Sequence, residues 1–322
     1  MSNRNVANCV SNNRFADTAG GLEDPCIIAA NKVGFDAFVA DTLLSVASRF
    51  RIVLATNEEL ENPYLFVAAI KKRGVNLIQT TPTRLYMSVA SGYPEVLKRF
   101  KVIACGGEPL GQELVNLILR FAPKTDILNV YGPTETTVWS TCASVTDGEK
   151  GIGFPSQNTQ CFILNRYRKL MPKYETGLLF IGGEGLGGYC FDPETHNAKF
   201  VRLDGVPQLS GVTLYDTGDT AHIDENNHII YFGRADFQVK INGVRIELGE
   251  IESVAKKNKL LTDCVVADKD IPNIGRRLVL YYTSEASIQV SDIRASLIGL
   301  QDSYLPSYYV RLDKIPLTSS NK

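Results

Sequence analysis

Hydrophobic and polar positions follow three successive patterns along this chain. From about Gly34 to Tyr131, segments of helical period alternate with short apolar runs. GFDAFVADTLLSVASRF puts Phe35, Phe38, Val39 and Val46 on one helical face, and RIVLAT follows as a strand rich in branched residues. PYLFVAAIKKRG then reads as a helix, NLIQTT as an extended segment and KVIACGG as a buried strand ending in glycines. QELVNLILRFAP is a helix stopped by Pro123, and DILNVYG is another strand. That alternation predicts an α/β layer built on a parallel sheet. From about Cys142 to Phe232 the helical period disappears, and short strands such as QCFILN, GLLFIGG and HIIYFG lie between Gly, Pro, Asn and Asp clusters, the pattern of a small β-barrel or distorted sheet. After Asp236 come a helix at ELGEIESVAKKN, strands at DCVVADKD and RLVLYYTS, a helix at VSDIRASLIGL and a last strand at YYVRLDKI, which together predict a compact α+β unit. The boundaries implied are 1–141, 142–235 and 236–322.

Composition narrows the class without naming a chemistry. With 322 residues, 44% of them hydrophobic and 21% charged, the chain is long enough for a sizeable core and is neither disordered nor fibrous in type. A net charge of −1 gives no electrostatic reason to expect nucleic acid or an anionic membrane. No apolar run approaches the roughly 18 residues of a spanning helix, and MSNRNVANCV has neither a basic n-region nor an apolar h-region, so a cytoplasmic protein is expected. The seven cysteines are scattered, form no CxxC pair and read as reduced, mostly buried thiols.

Chemistry is concentrated in three segments. NVYGPTETTVWST, residues 129–141, ends a strand with an aromatic ring, a tight turn, a hydroxyl and a carboxylate, at the carboxyl end where open α/β sheets hold ligands. A purine could stack on Tyr131, Thr134 could donate to a phosphate oxygen, and Glu135 could hold Mg²⁺ beside that phosphate. In LYDTGDTAHID, Asp219 could accept both hydroxyls of a ribose. In YFGRADFQVKINGVRIELGEIE, residues 231–252, Arg234 offers a guanidinium for ribose or phosphate, and Asp236 sits where the composition changes. Each segment alone reads more readily as structure: a strand with a Gly-Pro turn, a common turn composition and a solvated charged hairpin.

Taken in order, NVYGPTE, YDTGD and GRADFQVKINGVRIELGEIE resemble the adenylate-forming superfamily, and specifically the amino-acid adenylation domains of nonribosomal peptide synthetases. FDAF near residue 35, ACGGEPL at 104, IGGEGLGGY at 181 followed by PETHNAKF, and the terminal IPLTSSNK extend the likeness over essentially the whole chain. It implies a large subdomain of parallel sheet, helices and small β-barrel, truncated at its amino-terminal side, followed by a small mobile α+β subdomain. It also implies ATP-dependent formation of an aminoacyl-adenylate and transfer to the phosphopantetheine thiol of a peptidyl carrier protein. By the same likeness Tyr131 stacks on adenine while Asn129 and the backbone of Gly106, Gly107 and Glu108 line the base; Thr134 meets the α-phosphate, Glu135 holds Mg²⁺, Asp219 takes the ribose hydroxyls and Arg234 lies near ribose and phosphate. Asp236 is the hinge, and Lys322 bridges substrate carboxylate, phosphate and ribose. Asp36 pairs with the substrate's α-ammonium, a contact that ligases of simple acids do not need. Ala37, Ala40, Gln79, Ile103, Cys105, Val130, Val138 and Trp139 line the side-chain pocket, which suits a hydrophobic or mid-sized neutral side chain.

The superfamily's Ser/Thr/Gly-rich phosphate loop is not found in the chain, whose opening resembles the stretch just after that loop. An incomplete domain is therefore expected, associating with the segment that carries the loop or with itself. Two other readings stay open: an aryl or fatty acid ligase of the same superfamily, and an adenylation-like chain that binds nucleotide or a partner without catalysis.

Overall fold

A computed structural model describes residues 1–11, 13–90, 92–203, 206, 209, 211–235, 238–241, 244–271, 275–285 and 287–316. The chain divides into two compact units, Met1–Ala235 and Asp236–Lys322.

The first unit holds two sheets. One has seven strands in the order β2-β1-β3-β4-β5-β6-β7, comprising β1 (Cys26–Ala29), β2 (Arg51–Leu54), β3 (Leu77–Thr80), β4 (Val102–Gly106), β5 (Asp126–Tyr131), β6 (Thr141–Ser144) and β7 (Phe154–Pro155). Strands β1 to β5 run parallel, with Gln79 beside Ala104 and Cys105 beside Asn129 in register. β6 and β7 extend this sheet antiparallel, so it continues past Thr141. β1 and β3 are buried at every position, as central parallel strands covered on both faces must be.

One face of the sheet packs on helices whose ends are written in the sequence. The helix Pro63–Arg73 starts at Asn62, whose side chain accepts from the Tyr64 and Leu65 amides, carries Pro63 in its first turn and stops at Gly74 with φ 68°. It buries Phe66, Val67, Ala69 and Ile70. The helix Gln112–Phe121 ends two residues before Pro123 and buries Leu114, Val115 and Ile118. The other face carries Leu77, Val102, Ala104, Leu128 and Val130, packed with Phe15, Ala40, Leu44 and Val138. Two short helices cover it, α1 (Asn3–Ser11) and α2 (Arg14–Ala19), the latter capped by the Asn13 side chain on the Phe15 amide.

The segment expected as one helix over 35–46 departs from that expectation. Successive turns lead through Phe35–Val39 into a π-helical stretch, Ala40–Leu44, and only then into a short α-helical turn. The wider turn rotates the face, so that Ala37, Ala40, Asp41, Leu44 and Ser45 are buried whereas Val46 is 65% exposed.

The second sheet is antiparallel, with order β10-β11-β9-β8 and β12 paired on β11, comprising β8 (Thr159–Leu164), β9 (Gly177–Gly183), β10 (Phe200–Arg202), β11 (Thr213–Ile223) and β12 (Ile229–Arg234). In the other unit a hairpin of β13 (Gln238–Ile241) and β14 (Val244–Glu247) precedes the helix Leu248–Ala255. β15 (Asp263–Ile271), β16 (Gly275–Thr283) and β17 (Tyr308–Arg311) form its sheet, and Ile246, Ile251, Leu280, Ile293 and Leu297 fill its core.

At the carboxyl end of β4 there is no room for a side chain: a Cβ on Gly106 would lie 2.4 Å from the Val130 carbonyl oxygen and 2.6 Å from its Cγ2. Gly106→Ala must therefore push β4 and β5 apart, and we expect a loss of about 2 kcal/mol or more, measured by thermal or denaturant unfolding. Unchanged stability would show that the strand ends yield freely.

Candidate functional site

Three strand ends and one turn bring the sequence-selected residues together. β5 delivers Tyr131, and the turn after it delivers Thr134 and Glu135. That turn is tight: a Cβ on Gly132 would meet the Val138 carbonyl oxygen at 2.5 Å, while Thr137 and Val138 both sit at positive φ, 65° and 66°. β-branched residues resist that region, so the turn is held by its surroundings. Thr137 Oγ1 donates to the Gly185 carbonyl (2.7 Å), and the Ser140 amide donates to the Tyr131 carbonyl (2.8 Å).

Asp219 on β11 lies 3% exposed and gathers three groups. The Tyr131 hydroxyl donates to its Oδ2, the Tyr231 hydroxyl lies 3.4 Å from Oδ1, and Arg234 Nη1 is 3.6 Å from Oδ1 while donating to the Thr217 carbonyl at 2.8 Å. Burial, followed by the neighbouring Asp219 carboxylate, pushes the Tyr131 phenol well up, so it stays a donor. The Tyr131 ring is itself buried, 8% exposed, and tilted 45° to the Tyr231 ring at 5.8 Å.

A second contact links the two halves of the expected site. Thr134 Oγ1 donates to Asp36 Oδ2 at 2.6 Å, so the hydroxyl expected at phosphate touches the carboxylate expected at the α-ammonium. Glu135 accepts from the Tyr189 hydroxyl, and its carbonyl accepts from the Gly187 amide at 2.8 Å. Burial and then the Glu135 hydrogen bond raise the Tyr189 phenol far above its ordinary value. Helix α1 lies close by, with Asn5 Nδ2 donating to the Glu184 and Leu186 carbonyls.

Asn129 and Glu108 hold backbone. Asn129 Nδ2 donates to the Gly151 carbonyl at 2.8 Å, and Glu108 Oε2 accepts from the Thr83 amide at 3.2 Å. Gly107 adopts φ 79° beside them. Asp236 and Lys322 lie outside the described residues.

Two of the expected pocket positions lie on the opposite face of the sheet from the others. Strand alternation turns Ile103 and Cys105 to the face where Ile78, Ile118 and Ile127 pack, away from the face that carries Val130, Ala40, Val138 and Trp139. Ala104 and Gly106 alternate with them along β4, Ala104 beside Gln79 in register. Trp139 is half-buried and meets Phe15 edge to face at 6.0 Å.

The sequence reading also passed over Tyr231, Tyr189 and a buried polar group beneath the pocket residues. Asp41 is fully buried. Its Oδ2 accepts from the Asn31 amide and from Asn31 Nδ2, both at 2.9 Å. Gln79, with its amide turned to match these acceptors, donates from Nε2 to Asp41 Oδ1 at 3.2 Å and to the Ala37 carbonyl at 3.3 Å. Burial pushes the Asp41 carboxyl up to about 7, against the lowering effect of the Asn31 bonds. Tyr231 and Tyr189 stood inside quoted segments, YFGRAD and GLGGY; Asp41 carried no signal beyond a carboxylate in an apolar stretch.

Residues 1–189 match the family model described as AMP-binding enzyme. A dimodular nonribosomal peptide synthase of Bacillus subtilis is 33% identical over 305 residues, covering 93% of this chain and 13% of that protein. Tyrocidine synthase 1 of Brevibacillus parabrevis is 32% identical over the whole chain, which spans 29% of it. The chain thus spans a minor part of these curated relatives. Among solved structures, holo-PA1221, a nonribosomal peptide synthetase protein containing adenylation and PCP domains bound to a vinylsulfonamide inhibitor, superposes with TM-score 0.86 at 24% identity over 99% of this chain and 55% of its own. A four-domain nonribosomal peptide synthetase bound to AMP and glycine is 32% identical, with TM-score 0.65, over 99% of this chain and 24% of its own.

The Asp41 carboxyl has a measurable consequence. Unfolded, it loses its proton near pH 4, whereas folded it keeps the proton to about pH 7, so the native state binds more protons between these values and loses stability as pH rises through them. We expect Asp41→Asn to flatten the fall in Tm between about pH 4 and 7. Parallel Tm–pH curves for the two proteins would exclude that assignment.

Proposed function

Because the chain belongs to the AMP-binding enzyme family, whose members form adenylates, we propose that it activates an amino acid for a phosphopantetheine-bearing carrier protein. The observation that carries this reading is the 2.6 Å contact between Thr134 and Asp36. A hydroxyl expected at phosphate beside a carboxylate expected at an α-ammonium supports a reading in which the two reactants meet there. The peptide-synthase relatives and the carrier-domain fusion among the structural neighbours support the same reading.

In the proposed reaction a carboxylate oxygen of the amino acid attacks the α-phosphorus of ATP. The bond to the bridging oxygen breaks, and pyrophosphate leaves with that electron pair. A carrier thiolate then attacks the carbonyl carbon of the adenylate and AMP leaves. Bringing two anions together needs donors and cations around the phosphate. Thr134 donates to the α-phosphate once Asp36 has turned to the ammonium. Arg234, already on the Asp219 carboxylate, faces ribose and phosphate, and the ribose hydroxyls join Tyr131 and Tyr231 at Asp219. The base lies by Tyr131, with Asn129, Gly106, Gly107 and Glu108 as its wall. Glu135, the one carboxylate of this turn, would hold Mg²⁺. Mg²⁺ held there screens phosphate charge when bound. Asp236 as hinge and Lys322 as the bridging cation complete the proposal.

Amino-acid-dependent exchange between ATP and pyrophosphate tests it, run over the proteinogenic amino acids. One or a few amino acids should drive exchange, and Asp36→Ala should cut their kcat/KM roughly 100-fold by removing a charge-assisted contact. Stabilisation by AMP with no exchange under any amino acid would favour a nucleotide-binding module. Exchange driven by an aryl or fatty acid would favour the acid-ligase reading.

A further inference from the structure

The segment that follows β9 grips the turn after β5 through Gly185, Gly187 and Tyr189. The Gly185 carbonyl accepts from Thr137 Oγ1 at 2.7 Å, the Gly187 amide donates to the Glu135 carbonyl at 2.8 Å, and the Tyr189 hydroxyl donates to Glu135 Oε1. A Cβ on Gly185 would lie 2.6 Å from the Thr136 carbonyl oxygen, so the two stretches run in direct contact. The first two bonds hold the turn itself, whereas the phenol reaches the Glu135 carboxylate. A glutamate carboxylate rides on a flexible stem, so its direction is set by what it bonds to and not by the backbone that carries it.

Tyr189 is itself held. Its ring meets His196 edge to face at 6.4 Å and Phe200 at 5.7 Å, and its amide donates to His196 Nδ1 at 3.3 Å. The His196 and Phe200 rings stack at 4.5 Å, and Phe200 packs on the fully buried Tyr215 at 5.1 Å. The phenol is thus the tip of an aromatic column rooted in β10 and β11, the second sheet, and it points at a side chain carried by the first.

We propose that Tyr189 is a positioning residue that fixes the direction of the Glu135 carboxylate, so that affinity for the magnesium complex of a nucleotide depends on this phenol acting through Glu135. The proposal rests on the adenylation reading, which expects Mg²⁺ at Glu135. A carboxylate suits a hard cation that takes oxygen ligands, with phosphate and water completing its shell. The outer partner of such a carboxylate sets its orientation, and loss of that partner typically costs about 10- to 100-fold in metal affinity.

Tyr189→Phe removes the hydroxyl and keeps the ring on His196 and Phe200. In the full chain, calorimetry with Mg·ATP and, separately, with AMP in EDTA divides the metal-dependent part of binding from the rest. We expect Tyr189→Phe to raise the Kd for Mg·ATP about tenfold and to leave that for AMP within about twofold. In a Glu135→Gln background the same change should have little further effect on Mg·ATP, because the phenol acts through that carboxylate. An unchanged Kd for Mg·ATP overturns the proposal, while binding by the wild type leaves the adenylation reading standing. Equal losses for Mg·ATP and AMP, or an undiminished loss in the Glu135→Gln background, show a merely structural role and overturn it too. A wild type that binds neither nucleotide and drives no exchange refutes the adenylation reading, and the proposal with it. Should Tyr189→Phe not fold, His196→Ala keeps the phenol but removes its support. That variant must weaken Mg·ATP and spare AMP; an unchanged Kd for Mg·ATP again overturns the proposal.

Discussion

The hydrogen bond from the Tyr131 phenol to the Asp219 carboxylate joins the two sheets of the first unit at their interior. Tyr131 ends a parallel strand of one sheet, and Asp219 sits in the long antiparallel strand of the other. A carboxylate with 3% exposure is costly without donors, so the position of each sheet end depends on the partner that the other supplies. The Arg234 guanidinium and the Tyr231 hydroxyl complete the shell from β12, the strand paired with β11. The turn carrying Thr134 and Glu135 is anchored from the same side: the Gly187 amide, just beyond β9, donates to the Glu135 carbonyl, and Gly185 accepts from Thr137. The chemistry expected of this molecule thus lies on a seam rather than on one sheet.

Much of the fold was legible in the sequence because its signals are local. Asn62, Pro63 and Gly74 mark one helix completely, and the runs RIVLAT and KVIACGG carry the strands Arg51–Leu54 and Val102–Gly106. What was not legible depends on register. The helical period over 35–46 gave the wrong inward face, because a π-helical turn, which the period alone does not announce, rotates every residue after Val39. On β4 the motif ACGGEPL located the strand but not its alternation, which puts Ile103 and Cys105 on the face opposite Val130 and Val138.

The site residues divide in the same way. Tyr131, Thr134, Glu135, Asp219 and Arg234 could be singled out from the sequence because polar residues beside Gly-rich segments need an explanation. That Tyr131 and Asp219, 88 positions apart, are bonded to each other was not legible, since spacing says nothing about which strand ends meet. Asp41 was the least visible, a carboxylate in an apolar stretch that also reads as one polar interruption of a helix.

Asp41 and the turn at Thr137–Val138 raise the same physical question, because both reduce stability where nothing in the fold requires it. A carboxyl pushed up to about 7 by burial is less stable inside than a neutral residue of its size at high pH, and two β-branched residues at φ 65° and 66° store backbone strain. A third element of this kind, the π-helical stretch, wraps the same face of the sheet. Other buried polar groups of the first unit close caps and turns, as Asn13 does on Phe15 and Thr125 on the Phe100 carbonyl. The costly features therefore converge on the volume between Asp36, Gln79 and Val138. Such a cost is retained when it fixes geometry that a hydrophobic replacement would leave free, here the direction of one amide and one turn.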